Sequence, residues 1–238
     1  MVNSIKKVDS MKRFVHIFDL DGTILDSNPA WEETNRKFLE YYGIVSEDCS
    51  KLATMSYESL YKHLLTLSLP DIGIERFRDE QDKIAAVAYS NTIPEKKEVT
   101  DYIKHLAKEK ERLALFTGSP ERLYRPALER IGIISFFSEF YSTDVTGYEK
   151  SSPEAWFDLS ERLGVSLSEM VVYEDSPAAL ISAQKAGVCN LIWVEDRYSG
   201  VPLDKDIHKF SDIIDSCCCL KYNDKDIEYE KEDLKKRT

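Results

Sequence analysis

The sequence predicts an α/β protein, a doubly wound parallel sheet with a helical unit inserted after its first strand. Three observations predict it. Short apolar runs alternate with amphipathic helical patterns, as crossover connections between parallel strands require. Acidic or hydroxyl-rich segments stand at the ends of those runs, where open sheets of this kind form their ligand crevices. Between Asp26 and Pro94 the strand runs give way to helical ones.

The run Phe14-Val15-His16-Ile17 reads as the first strand and leads into Phe18-Asp19-Leu20-Asp21-Gly22-Thr23. A strand ending in Asp-x-Asp cannot keep both carboxylates in an apolar core, so they project from its carboxyl end, and Gly22 lets the backbone turn. Asn28-Pro29 starts a helix, with Pro29 preset at the first helical position. Helical patterns at Ala30 to Tyr42, Tyr57 to Leu67 and Ile74 to Tyr89 are separated by Gly43, Pro70 and Gly73. Hinges fall near Leu25-Asp26-Ser27 and Thr92-Ile93-Pro94. A helix across Val99, Tyr102, Ile103 and Leu106 precedes a second buried strand, Arg112 to Phe116. Thr117-Gly118-Ser119-Pro120 follows, then a helix from Glu121 to near Ile131-Gly132. The strand Met170 to Tyr173 runs into Glu174-Asp175-Ser176 and a helix from Pro177 to a glycine stop at Gly187, and short strands at Phe140-Tyr141-Ser142 and Leu191 to Val194 complete the sheet. The expected division is a discontinuous α/β core over 13–26 and 94–220, a helical cap over 27–93, and flexible ends at 1–12 and 221–238.

Charge narrows the partners. A net charge of −11 argues against nucleic acid and anionic membrane, both of which reward clustered lysine and arginine. No apolar stretch approaches the roughly 18 residues that span a bilayer, and Met1 to Lys12 lacks the apolar core of a signal peptide. A cytoplasmic monomer acting on a small soluble ligand is expected. The five cysteines, at 49, 189, 217, 218 and 219, form neither a C-x-x-C pair nor a disulfide framework, as in a reducing compartment. Cys217-Cys218-Cys219 reads as small apolar residues of a late strand or helix, and Tyr222 to Thr238 as a solvated charged tail.

Four segments carry candidate chemistry: Asp19-Leu20-Asp21, Thr117-Gly118-Ser119, Lys150 just ahead of the amphipathic stretch Ala155 to Leu159, and Glu174-Asp175. Each has an ordinary reading alone: an acidic turn, a helix cap, a solvated lysine. In this order, each at a strand exit or before a helix, they resemble the four motifs of the haloacid dehalogenase-like superfamily over about residues 14 to 195. The likeness is greatest to its β-phosphoglucomutase-like and phosphoglycolate phosphatase-like branch, which carries a helical cap on a Rossmann-like core. Members usually read Lys-Pro-x-Pro at the third motif; here Ser151 takes the first proline position.

The resemblance implies a Mg²⁺-dependent phosphatase that hydrolyses a small phosphomonoester through an aspartyl-phosphate on Asp19. Asp21 would act as acid and then base; Thr117, Gly118 and Ser119 would hold phosphoryl oxygens, and Lys150 would offset charge. The metal ligands would be an Asp19 side-chain oxygen, the Asp21 backbone carbonyl and Asp175, with Glu174 holding a water of the ion. Elementary electrostatics agrees that cations are needed, since two like charges 4 Å apart repel by about 4 kcal/mol at an effective dielectric of about 20. Oxygen ligands suit Mg²⁺. Asp21 separates the chain from dehalogenase-type members, which carry no acid there, and from phosphonatase-type members, which usually carry alanine. A phosphomutase is the alternative, but Trp31 stands where mutases place a cap histidine, and Tyr57, a candidate substrate-binding residue, where they place an arginine. A non-catalytic phospho-ligand binder is the third reading. Trp31, His63, Arg76 and Arg78 receive no role from the sequence.

Overall fold

The computed structural model describes residues 14–44, 48–202, 204 and 206–216. Its strands are β1 (Val15–Phe18), β2 (Arg112–Thr117), β3 (Glu139–Ser142), β4 (Met170–Glu174), β5 (Asn190–Trp193) and β6 (His208–Lys209). They form one parallel sheet in the order β3-β2-β1-β4-β5-β6, the doubly wound arrangement expected. Between β1 and β2 come α1 (Asn28–Tyr41), α2 (Cys49–Leu52), α3 (Tyr57–Thr66), α4 (Ile74–Asn91) and α5 (Lys97–Lys108). The later helices are α6 (Glu121–Arg130), α7 (Thr143–Thr146), α8 (Pro153–Leu163), α9 (Pro177–Ala186) and α10 (Phe210–Ser216).

The central strands are buried on both faces, which is why they read as continuous apolar runs and not as alternations. Phe18, Leu113, Leu115 and Tyr173 face one side, where α5 and α6 pack; Ile17, Ala114, Phe116 and Val172 face the other, against α8 and α9. Phe18 is level with Leu115 on β2 and Tyr173 on β4. The three strands therefore end side by side, and their following residues share one edge of the sheet.

The inserted helices bury an apolar cluster of their own, including Phe38, Leu52, Leu60, Leu64 and Phe77. The far end of α4 leaves it: Ala85 and Tyr89 join the core that covers the sheet. The two crossings between the helices and the sheet run together, with Asp26 N donating to Pro94 O at 3.0 Å and Lys96 N to Ile24 O at 2.8 Å.

Local differences from the sequence reading have simple causes. Asn28 is the first residue of α1, with Ser27 as its cap, so Pro29 stands second in the helix, still in the turn where a missing N–H costs nothing. The four-residue α2 and α7 are too short to show a period, and the two-residue β6 is exposed and carries no apolar run. No helix among the described residues is long and apolar enough to cross a membrane. The cysteine triplet and the expected flexible ends at 1–12 and 221–238 lie outside the described residues.

Candidate active site

The sheet edge gathers the predicted residues from separate parts of the chain. Asp19 leaves β1 with its N–H on Tyr173 O at 2.9 Å, so its position is tied to β4 as well. Gly22, at φ +79°, turns the chain where a Cβ would lie 2.7 Å from Asp175 Cγ and 2.9 Å from Asn28 Nδ2. Glycine is required there both for its backbone and for the space. Glu174 closes β4, and its Oε1 accepts from Ser176 N at 3.1 Å. Asp175 follows, its Oδ2 accepting from Ser199 Oγ and its backbone carbonyl from Trp193 Nε1 at 3.1 Å.

Lys150 enters from the loop before α8, where Trp156 Nε1 holds its carbonyl at 3.0 Å. Its ammonium donates to Asp19 Oδ1 and, at 2.7 Å, to Glu174 Oε2. Burial alone would lower the Lys150 pKa, but Asp19 and Glu174 more than offset that and hold it above the ordinary lysine value. Asp19 nevertheless stands at about 7, raised first by burial and then by Glu174, with Lys150 pulling the other way. Asp175 is raised well above the carboxylate range by burial and by Glu174 and Asp19. The ion pair favours charge on both partners, yet Asp19 stays raised because burial, with Glu174 beside it, outweighs the pull of Lys150.

These carboxylates form a candidate cation site. One oxygen each from Asp19, Glu174 and Asp175 lie within 4.8 Å of one another, all three residues buried. Asp19 Oδ2 is buried with no hydrogen-bond partner. An orphaned acceptor in an all-oxygen cluster of excess negative charge fits a hard divalent cation such as Mg²⁺.

Asp21 is held differently. Its Oδ1 accepts from Ser27 Oγ at 2.7 Å and from the Tyr89 hydroxyl; its Oδ2 accepts from Ser119 Oγ at 2.6 Å. Tyr89 is fully buried and itself accepts from Trp31 Nε1 at 2.7 Å. With two donors on Oδ1 and one on Oδ2, a lone pair remains on Oδ2 to carry a proton.

Gly118 and Ser119 line the cavity above these residues; Thr117 lies behind them, fully buried, its hydroxyl accepting from Ser119 N at 3.0 Å. The cavity holds about 590 Å³ and also receives Asp19, Asp21, Lys150, Glu174 and Asp175. Tyr57 and Trp31 face it from the inserted helices, with the Tyr57 hydroxyl committed to Asp82, which Arg122 also holds. Arg78 reaches the same wall; His63 and Arg76 are absent from it.

Sequence reasoning missed Ser27, Tyr89 and Ser199, whose hydroxyls fix the two acidic ends, and the brace around Lys96. The Lys96 ammonium bonds to Glu195 O at 3.0 Å and Asp196 Oδ2 at 2.8 Å as well as to Gly22 O, tying the turn after β1 to the loop after β5. No local signal marks a serine or a helical tyrosine as a partner of a distant carboxylate.

Comparison with known proteins gives one consistent answer. Residues 15–187 match the family model described as hydrolase, haloacid dehalogenase-like hydrolase. A phosphorylated carbohydrates phosphatase of Thermotoga maritima is 27% identical over 175 residues, 72% of this chain and 81% of that one. A phosphoglycolate phosphatase of Pseudomonas fluorescens is 27% identical over 186 residues, covering 72% of this chain and 66% of its own. The crystal structure of CbbY from Rhodobacter sphaeroides, in complex with xylulose-(1,5)bisphosphate, superposes with a TM-score of 0.73 at 17% identity, covering 84% of this chain and 94% of that one.

Proposed function

The chain belongs to the haloacid dehalogenase-like hydrolases, and from that premise we propose that it hydrolyses a small phosphomonoester with Asp19 as nucleophile and Asp21 as acid and base. The observation that carries this reading is the convergence of Asp19, Asp21 and Lys150 on one cavity, with Asp19 retained beside an ammonium and Asp21 beside three hydroxyls. Relatives of equal identity are named for carbohydrate phosphates and for phosphoglycolate, and so support a phosphomonoester without choosing the alcohol.

An Asp19 carboxylate oxygen attacks phosphorus in line with the ester oxygen; the ester P–O bond breaks, and Asp21 gives its proton to the departing alcohol. Water then attacks the aspartyl-phosphate, Asp21 takes its proton, and the bond from phosphorus to the Asp19 oxygen breaks to free inorganic phosphate. Lys150 offsets charge on Asp19 and on the incoming phosphoryl group, while Gly118 and Ser119 meet the phosphoryl oxygens and Thr117 braces their turn. Asp19, Asp175 and the Asp21 backbone carbonyl would hold Mg²⁺, with Glu174 beside them; bound there, it supplies the positive charge that lets a phosphate dianion approach this acidic edge. The inserted helices carry Trp31 and Tyr57 over the cavity and limit access of bulk water. Trp31 and Tyr57, in place of the cationic residues expected of a mutase, favour hydrolysis over phosphoryl exchange.

The test is phosphate release from a panel of phosphomonoesters with Mg²⁺, run beside Asp19→Asn. Release by the wild type and a loss of about 10⁴-fold or more in the variant are expected. Comparable rates in the two proteins would remove Asp19 as nucleophile.

A further inference from the structure

We infer that Ser199 is a positioning residue for the cation site and that Asp196 anchors its loop to the base of the inserted helices, so that cation affinity depends on both. This rests on the reading of Asp19, Asp175 and the Asp21 carbonyl as the ligands, and deepens it.

Asp175 needs a restraint that its own strand does not give. Trp193 Nε1 fixes its main chain, but the carboxylate can still turn about the side-chain bonds, and Asp19 and Glu174 repel it. Among the described residues, Ser199 Oγ is the one hydrogen-bond donor to that carboxylate, on Oδ2. A ligand held by such a partner meets the ion already oriented; a ligand without one spends binding energy on being oriented.

Ser199 stands on a stretch after β5 that has no regular structure, so side-chain anchors fix its place. Asp196 supplies them. Its side chain, 3% exposed, accepts on Oδ1 from Asn28 Nδ2 at 3.0 Å and Tyr198 N at 2.9 Å, and on Oδ2 from Lys96 Nζ at 2.8 Å. Asn28 opens α1 and Lys96 directly precedes α5, so one carboxylate holds both crossings between the sheet and the inserted helices. The Tyr198 hydroxyl donates to Glu32 Oε2 at 2.8 Å, one turn further along α1. Lys96 also reaches Gly22 O, the carbonyl next to that of Asp21. The loop thus restrains two proposed ligands from separate strands, Asp175 through Ser199 and the Asp21 carbonyl through Lys96. Displacing Asp196 would leave the largely buried Lys96 ammonium without its counter-charge, which keeps the anchor in place.

The experiment titrates Mg²⁺ into the chelator-treated full chain by calorimetry, for the wild type, Ser199→Ala, Ser199→Thr, Asp196→Asn and Tyr198→Phe. Release of phosphate from p-nitrophenyl phosphate is followed against Mg²⁺ concentration on the same proteins. Ser199→Ala and Asp196→Asn are expected to lower Mg²⁺ affinity about tenfold, while Ser199→Thr, which restores the hydroxyl, binds as the wild type does. Tyr198→Phe, which keeps Asp196 and loses only the bond to Glu32, is expected to lower affinity about threefold and tests the anchor if Asp196→Asn does not fold. The Mg²⁺ concentration for half-maximal release should rise in step, with kcat at saturating Mg²⁺ little changed; a merely structural role would not produce that split. Wild-type affinity in Ser199→Ala, or an equal loss in Ser199→Thr, overturns the positioning role and leaves the phosphatase reading standing. Wild-type affinity in folded Asp196→Asn, or in Tyr198→Phe where Asp196→Asn does not fold, removes the anchor. No Mg²⁺ binding by the wild type brings down the cation site and this inference with it.

Discussion

The Tyr89 hydroxyl, near the end of α4, donates to Asp21 Oδ1 across 68 residues of sequence. Trp31 Nε1 donates to that same hydroxyl, so two residues of the inserted helices bear on one carboxylate of the sheet edge. Helices that reach over a cavity are thereby connected to the group proposed to move protons in it.

Tyr89→Phe keeps the ring that packs in the core and removes one of three hydroxyls on Asp21. We expect kcat to fall about tenfold with KM little changed, because a group that fixes the orientation of Asp21 is gone. A merely structural role would lower stability and leave kcat of the folded protein in place.

Gly22→Ala places a methyl group against Asp175 and Asn28 at a backbone φ of +79°. Asp175 and its Ser199 partner must move, so a loss of activity of about 100-fold or more is expected, with stability reduced by about 1–3 kcal/mol. Phosphate release and urea denaturation of the variant measure the two effects separately.

Asp175 is raised well above the carboxylate range by burial and by the neighbouring Glu174 and Asp19, so its charge is unfavourable when no cation is bound. Asp175→Asn should therefore stabilise the chelator-treated protein, by about 1 kcal/mol, while abolishing turnover. Mg²⁺ at about 100 times its dissociation constant should stabilise the wild type by about 2.7 kcal/mol and the variant by far less. Melting curves with and without Mg²⁺ decide both points; a variant less stable than the metal-free wild type contradicts the charge argument.

His16 supplies a pH test of the fold. It is 9% exposed on β1, with Nδ1 2.9 Å from the Tyr173 hydroxyl, and burial lowers its pKa from 6.5 to about 4. The unfolded chain then binds more protons than the folded one between those values, so stability is lost as pH falls through 6.5 toward 4. Between pH 7.5 and pH 5 the wild type should lose roughly 2 kcal/mol that His16→Phe does not lose. Asp19, raised to about 7, works in the opposite direction over that range. Urea unfolding of both proteins at both pH values cancels the Asp19 contribution, and parallel losses would dismiss His16 as the cause.

Buried runs such as Leu113 to Phe116 declare strands, and the acids and hydroxyls that follow them declare an edge where ligands bind, because apolar periodicity and chain direction are local properties. By itself the sequence determined the parallel α/β class, the helical insertion and the four segments that meet at the sheet edge. Tertiary structure alone decided the partners: Ser119 on Asp21 from 98 residues away, Ser199 on Asp175, and the pairing of Arg78 with Glu58 and Asp144. A hydrogen bond or ion pair forms wherever two groups come within about 3 Å, and that proximity is set by how elements pack, which no stretch of chain contains.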